Sequence, residues 1–228
     1  MRHLTILILS ILTINFSYSQ IHEIGGFAGG SNLIGDVGAT NYIAPNAPSL
    51  GLLYKWNRSV RHSWRASIIY SDLKAYDSKS DDPRRQQRDY SFDSNMLEFS
   101  AGMEFTFIDF DLHSGDKVYT PYLYGGLSTA RHNNYYFLNG AQRPENTKSW
   151  AFGIPGAIGF KASFIDHIVL GIEIGARYTF SDNIDGNNPK NPEYQQYKFG
   201  NINNNDWYVF SGFTLTYTFG QNPCYCVD

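Results

Sequence analysis

Residues 206–219 read DWYVFSGFTLTYTF, and taking them in steps of two separates two faces. Val209, Ser211, Phe213, Leu215, Tyr217 and Phe219 fall on one, and Tyr208, Phe210, Gly212, Thr214, Thr216 and Thr218 on the other. The first face is apolar and ends in two aromatics. The second is small and hydroxylated over its latter half. Period-two alternation of this kind marks a β-strand whose faces meet different surroundings. A long strand also needs partners, because an unpaired edge cannot be left exposed to lipid.

Seven further segments supply those partners: 21–31, 49–56, 63–71, 95–108, 119–130, 150–162 and 167–180. In the fourth, Leu97, Phe99, Ala101, Met103, Phe105 and Phe107 oppose Glu98, Ser100, Gly102, Glu104 and Thr106. In the seventh, Ile168, Leu170, Ile172, Ile174, Ala176 and Tyr178 oppose Val169, Gly171, Glu173, Gly175, Arg177 and Thr179. A slip of one residue would turn the charges of either strand towards lipid, at up to ~2–4 kcal/mol for an Arg at mid-depth. The fifth segment is less regular, since Tyr122 and Tyr124 differ in parity from Leu123 and Leu127.

The connections alternate in length. Residues 32–48, 72–94, 131–149 and 181–206 are long; 57–62 and 163–166 are short, and 109–118 is middling. Transmembrane barrels have short turns on the periplasmic side and longer loops outside. An even strand count leaves both termini in the periplasm, so the odd-numbered connections are expected to be the long ones. The pattern predicts an all-β fold: an eight-stranded antiparallel up-and-down transmembrane β-barrel spanning residues 20–220.

Composition agrees with that reading. The 228 residues hold 17 Tyr, 16 Phe and 21 Gly, with a net charge of −3. Such a balance suggests no nucleic-acid partner. Residues 4–16 are apolar behind the basic start Arg2-His3, and Ser17-Tyr18-Ser19 is a small-x-small cleavage site. The N-terminus therefore predicts a signal peptide, residues 1–19, with the mature chain beginning at Gln20 in an oxidising compartment. Beyond it no apolar run reaches the about twenty residues of a spanning helix. Lipid of the outer membrane is the expected surrounding.

Eight charges fall on inward parities: Glu23, Lys55, Arg65, Glu98, Glu104, Lys161, Glu173 and Arg177. Paired carboxylates can act as general acid and base. An eight-stranded barrel, however, has an interior just wide enough for side chains to fill, and charges inside it must be paired. Four carboxylates against four cations predict a neutralised structural network.

Other constellations carry less. Gly25, Gly26, Gly29 and Gly30 precede no helix, so a phosphate-cradling loop is not expected. Residues 181–186 echo a calcium loop, but Ser181 stands at the first ligand position and Pro192 where Glu is required. The histidines show no zinc-type spacing. Neither cofactor nor metal is expected. Ser128 and His132 are the nearest approach to a nucleophile and base near the outer rim, without a carboxylate to orient the imidazole. Residues 77–89 carry both signs of charge and read as a solvated outer loop. Cys224 and Cys226, in the tail 221–228, admit three readings: a strained local bridge, a bond to a periplasmic partner, or two inert thiols.

Four stretches carry a family resemblance: residues 23–36, 154–161, 173–182 and 206–220. On these the chain resembles the PorG family, the outer-membrane barrel component of the type IX secretion system of Bacteroidota. The resemblance implies a non-enzymatic barrel that ties a periplasmic ring of PorK- and PorN-like subunits to the outer membrane, and it brings no catalytic residues. Contacts with such partners would come from the turns 57–62, 109–118 and 163–166 and from the tail, with Arg58, Arg61, Cys224 and Cys226 as candidates. A small adhesive or protective barrel acting through its outer loops is the alternative, and a lipid-modifying barrel hydrolase the third reading.

Overall fold

The computed structural model describes residues 21–112, 117–201 and 204–220. The expected signal peptide and the tail with Cys224 and Cys226 lie outside the described residues, so their bonding and processing stay expectations. Eight strands follow one another: β1 (Ile21–Ile34), β2 (Ala47–Asn57), β3 (His62–Tyr76), β4 (Ser91–Thr106), β5 (Val118–Leu138), β6 (Ala141–Ile165), β7 (Ile168–Thr179) and β8 (Trp207–Phe219). Each pairs antiparallel with its neighbour, and β8 returns to β1 through pairs such as Ile24↔Tyr217 and Ala28↔Phe213. The barrel is closed, and no strand edge is left over.

Alternation decides which residues face in. Along β4, Met103 is 45% exposed while Glu104, beside it, is fully buried. The same inversion holds on β7, where Ile172 is exposed and Glu173 buried. Apolar side chains thus cover the wall, and charges and hydroxyls fill the interior. Tyr122 and Tyr124 point inward, which removes the irregularity of the fifth segment.

Two expectations about the connections need correcting. Residues 131–149 do not form a long loop. β5 and β6 instead run 21 and 25 residues and rise past the other strands as a hairpin, turning at Asn139-Gly140. Both turn residues have positive φ, 52° and 81°, the conformation that a tight hairpin turn demands and that Asn and Gly adopt at least cost. The Asn-rich, polar residues on either side of the run Tyr135-Tyr136-Phe137 hide the strand, while Tyr135 and Phe137 are buried on its inner side.

Residues 77–89 are likewise no simple solvated loop. They include a short helix, α1 (Pro83–Arg88), capped by the Asp82 side chain. Asp77 is fully buried and accepts from Arg88 Nε at 2.7 Å and from the Gly38 amide at 2.8 Å. Arg85 donates to the carbonyls of Gly35 and Gly38. Lys79, Asp81, Arg84, Gln86, Gln87 and Asp89 are exposed as expected.

With residues 183–187, which are buried in the mouth, these pieces close the loop end of the barrel. Beneath them Leu33, Phe92, Met96, Tyr135, Phe137 and Phe210 form part of an apolar core. The interior is therefore layered, with hydrophobic packing in the loop half and charges towards the turn end.

Candidate functional site

All eight inward charges are at most 3% exposed. Glu104, from β4, sits at the centre of the larger group. Lys161 Nζ donates to its Oε1 at 2.7 Å. Lys55 Nζ lies 3.1 Å from Oε1 and 2.9 Å from Oε2, and Arg65 Nη1 is 3.8 Å from Oε2. Arg65 turns its main fork to Glu173, with Nη1 and Nη2 donating at 2.6 and 2.8 Å. The Tyr122 hydroxyl donates to the same carboxylate at 2.7 Å. Three cations and two carboxylates from five strands are thereby joined, which fixes those strands relative to one another.

A second group lies apart from the first. Arg177 Nε is 3.3 Å from both oxygens of Glu98, and the Tyr208 hydroxyl donates to Glu98 at 2.5 Å. The Arg177 guanidinium rests 4.5 Å from the Phe210 ring centre, against the apolar layer. Glu23 is held differently, by the Asn57 amide at 2.9 Å and the Thr216 hydroxyl at 2.6 Å, with no cation in ion-pair range among the described residues. Pairing on this scale is needed because each unpaired buried ion would cost several kcal/mol.

Local sequence makes the geometry possible. At Gly159 on β6 a Cβ would collide with the Tyr122 ring, so the glycine lets that ring lie across the strand and reach Glu173. Tyr122, Tyr208, Asn57 and Thr216 are network members that charge alone does not mark. Their inward parity was the available signal. In chemical terms these are paired, buried ions rather than an acid and base facing open space, although Arg65 Nε and Arg177 Nη2 are buried without a hydrogen-bond partner among the described residues.

Ser128 and His132 both point inward and are buried. Four residues apart on one strand, their Cα atoms are separated by about 13 Å, too far for a nucleophile–base pair. Residues 181–186 are built into the plug, and no group of three potential metal ligands occurs among the described residues.

The turn end is capped from below. The Phe110 amide donates to the Val60 carbonyl at 3.0 Å, and the ring lies 4.5 Å from Lys161 Nζ. Arg61 is tied to Asp109 at 2.5 Å, although both remain exposed. Arg58 is exposed, 5.9 Å from the Trp56 ring centre, without a carboxylate partner among the described residues. Of the two candidate arginines in this turn, Arg58 is the one without an ion pair among the described residues.

At the loop end, the buried carboxylates of Asp185 and Asp206 approach the same point: a Cβ on Gly35 would lie 2.7 Å from an oxygen of each. Asp185 accepts from the amides of Val37 and Asn187, and Asp206 from that of Ile184. Burial, with Asp36 nearby, pushes Asp185 up to about 6. Burial and the Asp185 charge raise Asp206 well above the usual carboxylate range.

Comparison with curated proteins finds no match to this sequence. Among solved structures, the chain is similar to a major outer membrane protein of Thermus thermophilus, at 9% identity and a TM-score of 0.48, covering 88% of this chain and 100% of that one. It is also similar to Neisserial surface protein A, at 14% identity and a TM-score of 0.44 over 88% and 95% of the two chains. For the N-terminal β-barrel domain of Pseudomonas aeruginosa OprF the values are 11%, 0.45, 88% and 98%. The eight-stranded closure rests on the strand register given above and not on these likenesses. One family matches nearly the whole length: over residues 2–228 the chain belongs to the family described as a domain of unknown function, DUF6089.

Proposed function

We propose that this protein is a non-conducting, non-enzymatic barrel of the bacterial outer membrane that anchors a periplasmic assembly through its turn end. The observation that carries this reading is the inversion of polarity, an apolar wall around an interior packed with paired charges. Such a wall is stable in lipid, and such an interior leaves the two ends as the working surfaces. The more specific reading, a PorG-like component holding the PorK- and PorN-like ring of a type IX secretion system, is supported by the sequence resemblance of residues 23–36, 154–161, 173–182 and 206–220. On the turn end, Arg58, exposed and without a carboxylate partner among the described residues, offers a cation to an acidic partner surface.

The test is crosslinking in intact cells from a photoreactive residue placed at Arg58, or from Cys224 or Cys226. Capture of a ring subunit is the expected result. If nothing is captured while the intact cells bind an external ligand through the loops, the adhesive reading replaces this one. The β5–β6 hairpin standing beyond the other strands is the feature that favours the alternative.

A further inference from the structure

The outer wall changes character between two adjacent rungs of the sheet. In one rung Tyr70, Leu97, Arg131 and Trp150 lie side by side on β3 to β6. Arg131 is exposed, with its guanidinium 5.9 Å from the Trp150 ring centre. The next outward-facing row towards the loop end is wholly polar: Asp72 beside Asn95, Asn133 donating to Asn95 at 3.3 Å, and Lys148 beside Asn133. Aromatics beside a sudden polar rung mark the place where a lipid tail region gives way to headgroups.

Directly beyond this boundary the β5–β6 pairing slips between Asn133 and Tyr135, and the slip opens a cavity of about 450 Å³. Asn133, Gln142, Asn146 and Lys148 line it, with Asp93 on its far side. Gln142 is held at both ends by the Asp93 backbone, at 3.1 and 3.2 Å, and Asn133 donates to Asn95 at 3.3 Å, which leaves the Asn146 amide, unengaged among the described residues, to donate and accept as the hydroxyls of a sugar require. Arg131 and Lys148 stand on its membrane side, and neither forms an ion pair among the described residues. Lys74 is not available in the same way, being bound to Asp93 at 2.8 Å.

We infer that this groove is a binding site for the phosphorylated saccharide headgroup of an outer-leaflet glycolipid. Its acyl chains would lie on the wall at Phe99 and Phe152, its phosphate would meet Arg131 and Lys148, and its sugar would enter the amide-lined cavity. The volume falls within the range of small-ligand sites. The inference rests on the lipid-embedded reading above, but not on any periplasmic partner.

The experiment uses the full-length mature barrel in detergent micelles. Its melting temperature is followed against a phosphorylated glycolipid, the same glycolipid with the phosphates removed, and phosphatidylglycerol. A rise with the phosphorylated glycolipid alone is expected, with an apparent affinity about tenfold weaker for Lys148→Gln, as loss of one charge-assisted hydrogen bond implies. Asn146→Ala, on the exposed lip, should weaken it as well. An equal rise with phosphatidylglycerol would reduce the site to general anion attraction and overturn the inference. So would an undiminished response to the dephosphorylated lipid, no response to any lipid, or unchanged affinity in both variants. Failure of the anchoring reading would appear separately, as no crosslink to a ring subunit from a barrel that still melts cooperatively.

Discussion

Glu104 illustrates what one residue does in this interior. Lys161, Lys55 and Arg65 all lie within 4 Å of its carboxylate, so its loss strands the two buried lysines and leaves Arg65 with Glu173 alone. Replacing Glu104 by Ala is expected to cost about 3–5 kcal/mol, the penalty for breaking a buried ion pair from one side. The check is the melting temperature of the refolded barrel in micelles, compared with Lys74→Ala. Lys74 pairs with an Asp93 that is 63% exposed, and removing it should lower the melting temperature far less. Comparable losses from the two substitutions would show that the network does not hold the interior together. The charged members of this network were legible in the sequence, because parity alone assigns them to the inside of the wall. Their pairing was not: Arg65 reaches Glu173 across 108 positions of chain, a contact that only barrel closure creates.

At the scale of elements, the plug formed by residues 183–187 carries a pH dependence. Asp185 and Asp206 face each other, with Asp36, Asp182 and Arg85 around them. Both buried carboxyls have raised pKa values, so the seated plug retains protons that the released segment gives up. Its stabilisation is fully present below the ordinary Asp value of 3.8 and is lost as pH rises through about 6. Limited proteolysis of the 180–206 connection should therefore quicken between about pH 4 and pH 7. In Asp206→Asn, which cannot ionise at that position, the change should be markedly smaller. Cleavage that is independent of pH in the parent protein would count against the seated carboxyl pair. Two elements here escaped sequence reading for different reasons. The Asn139-Gly140 hairpin was announced by its turn dipeptide but masked by polar strand residues. Residues 77–89 looked solvated because the buried partner of Arg88, Asp77, is itself charged.

For the molecule as a whole, the layered interior predicts an absence of conduction. Paired charges, the aromatic layer, Phe110 below and the plug above lie in series along the axis. Purified protein in a planar bilayer should give no resolvable ion-conducting steps, and steady conductance in the parent would contradict the sealed lumen. Strand count, closure and register followed from alternation and connection length, since each one-residue slip would expose charge to lipid. The strand lengths did not follow, because beyond the lipid boundary that constraint disappears and polar residues occupy both faces.

The sequence by itself determined the wall: eight segments with one apolar parity, their order, and the sign and number of the charges sealed behind them. Period-two patterning is local, so it can be read from neighbours in the chain. Only the tertiary structure decided which charges meet, how the loop end folds into a plug, and where the β5–β6 slip opens a groove above Trp150. Those contacts join residues distant in sequence, and their geometry is set by closure of the barrel rather than by any local preference.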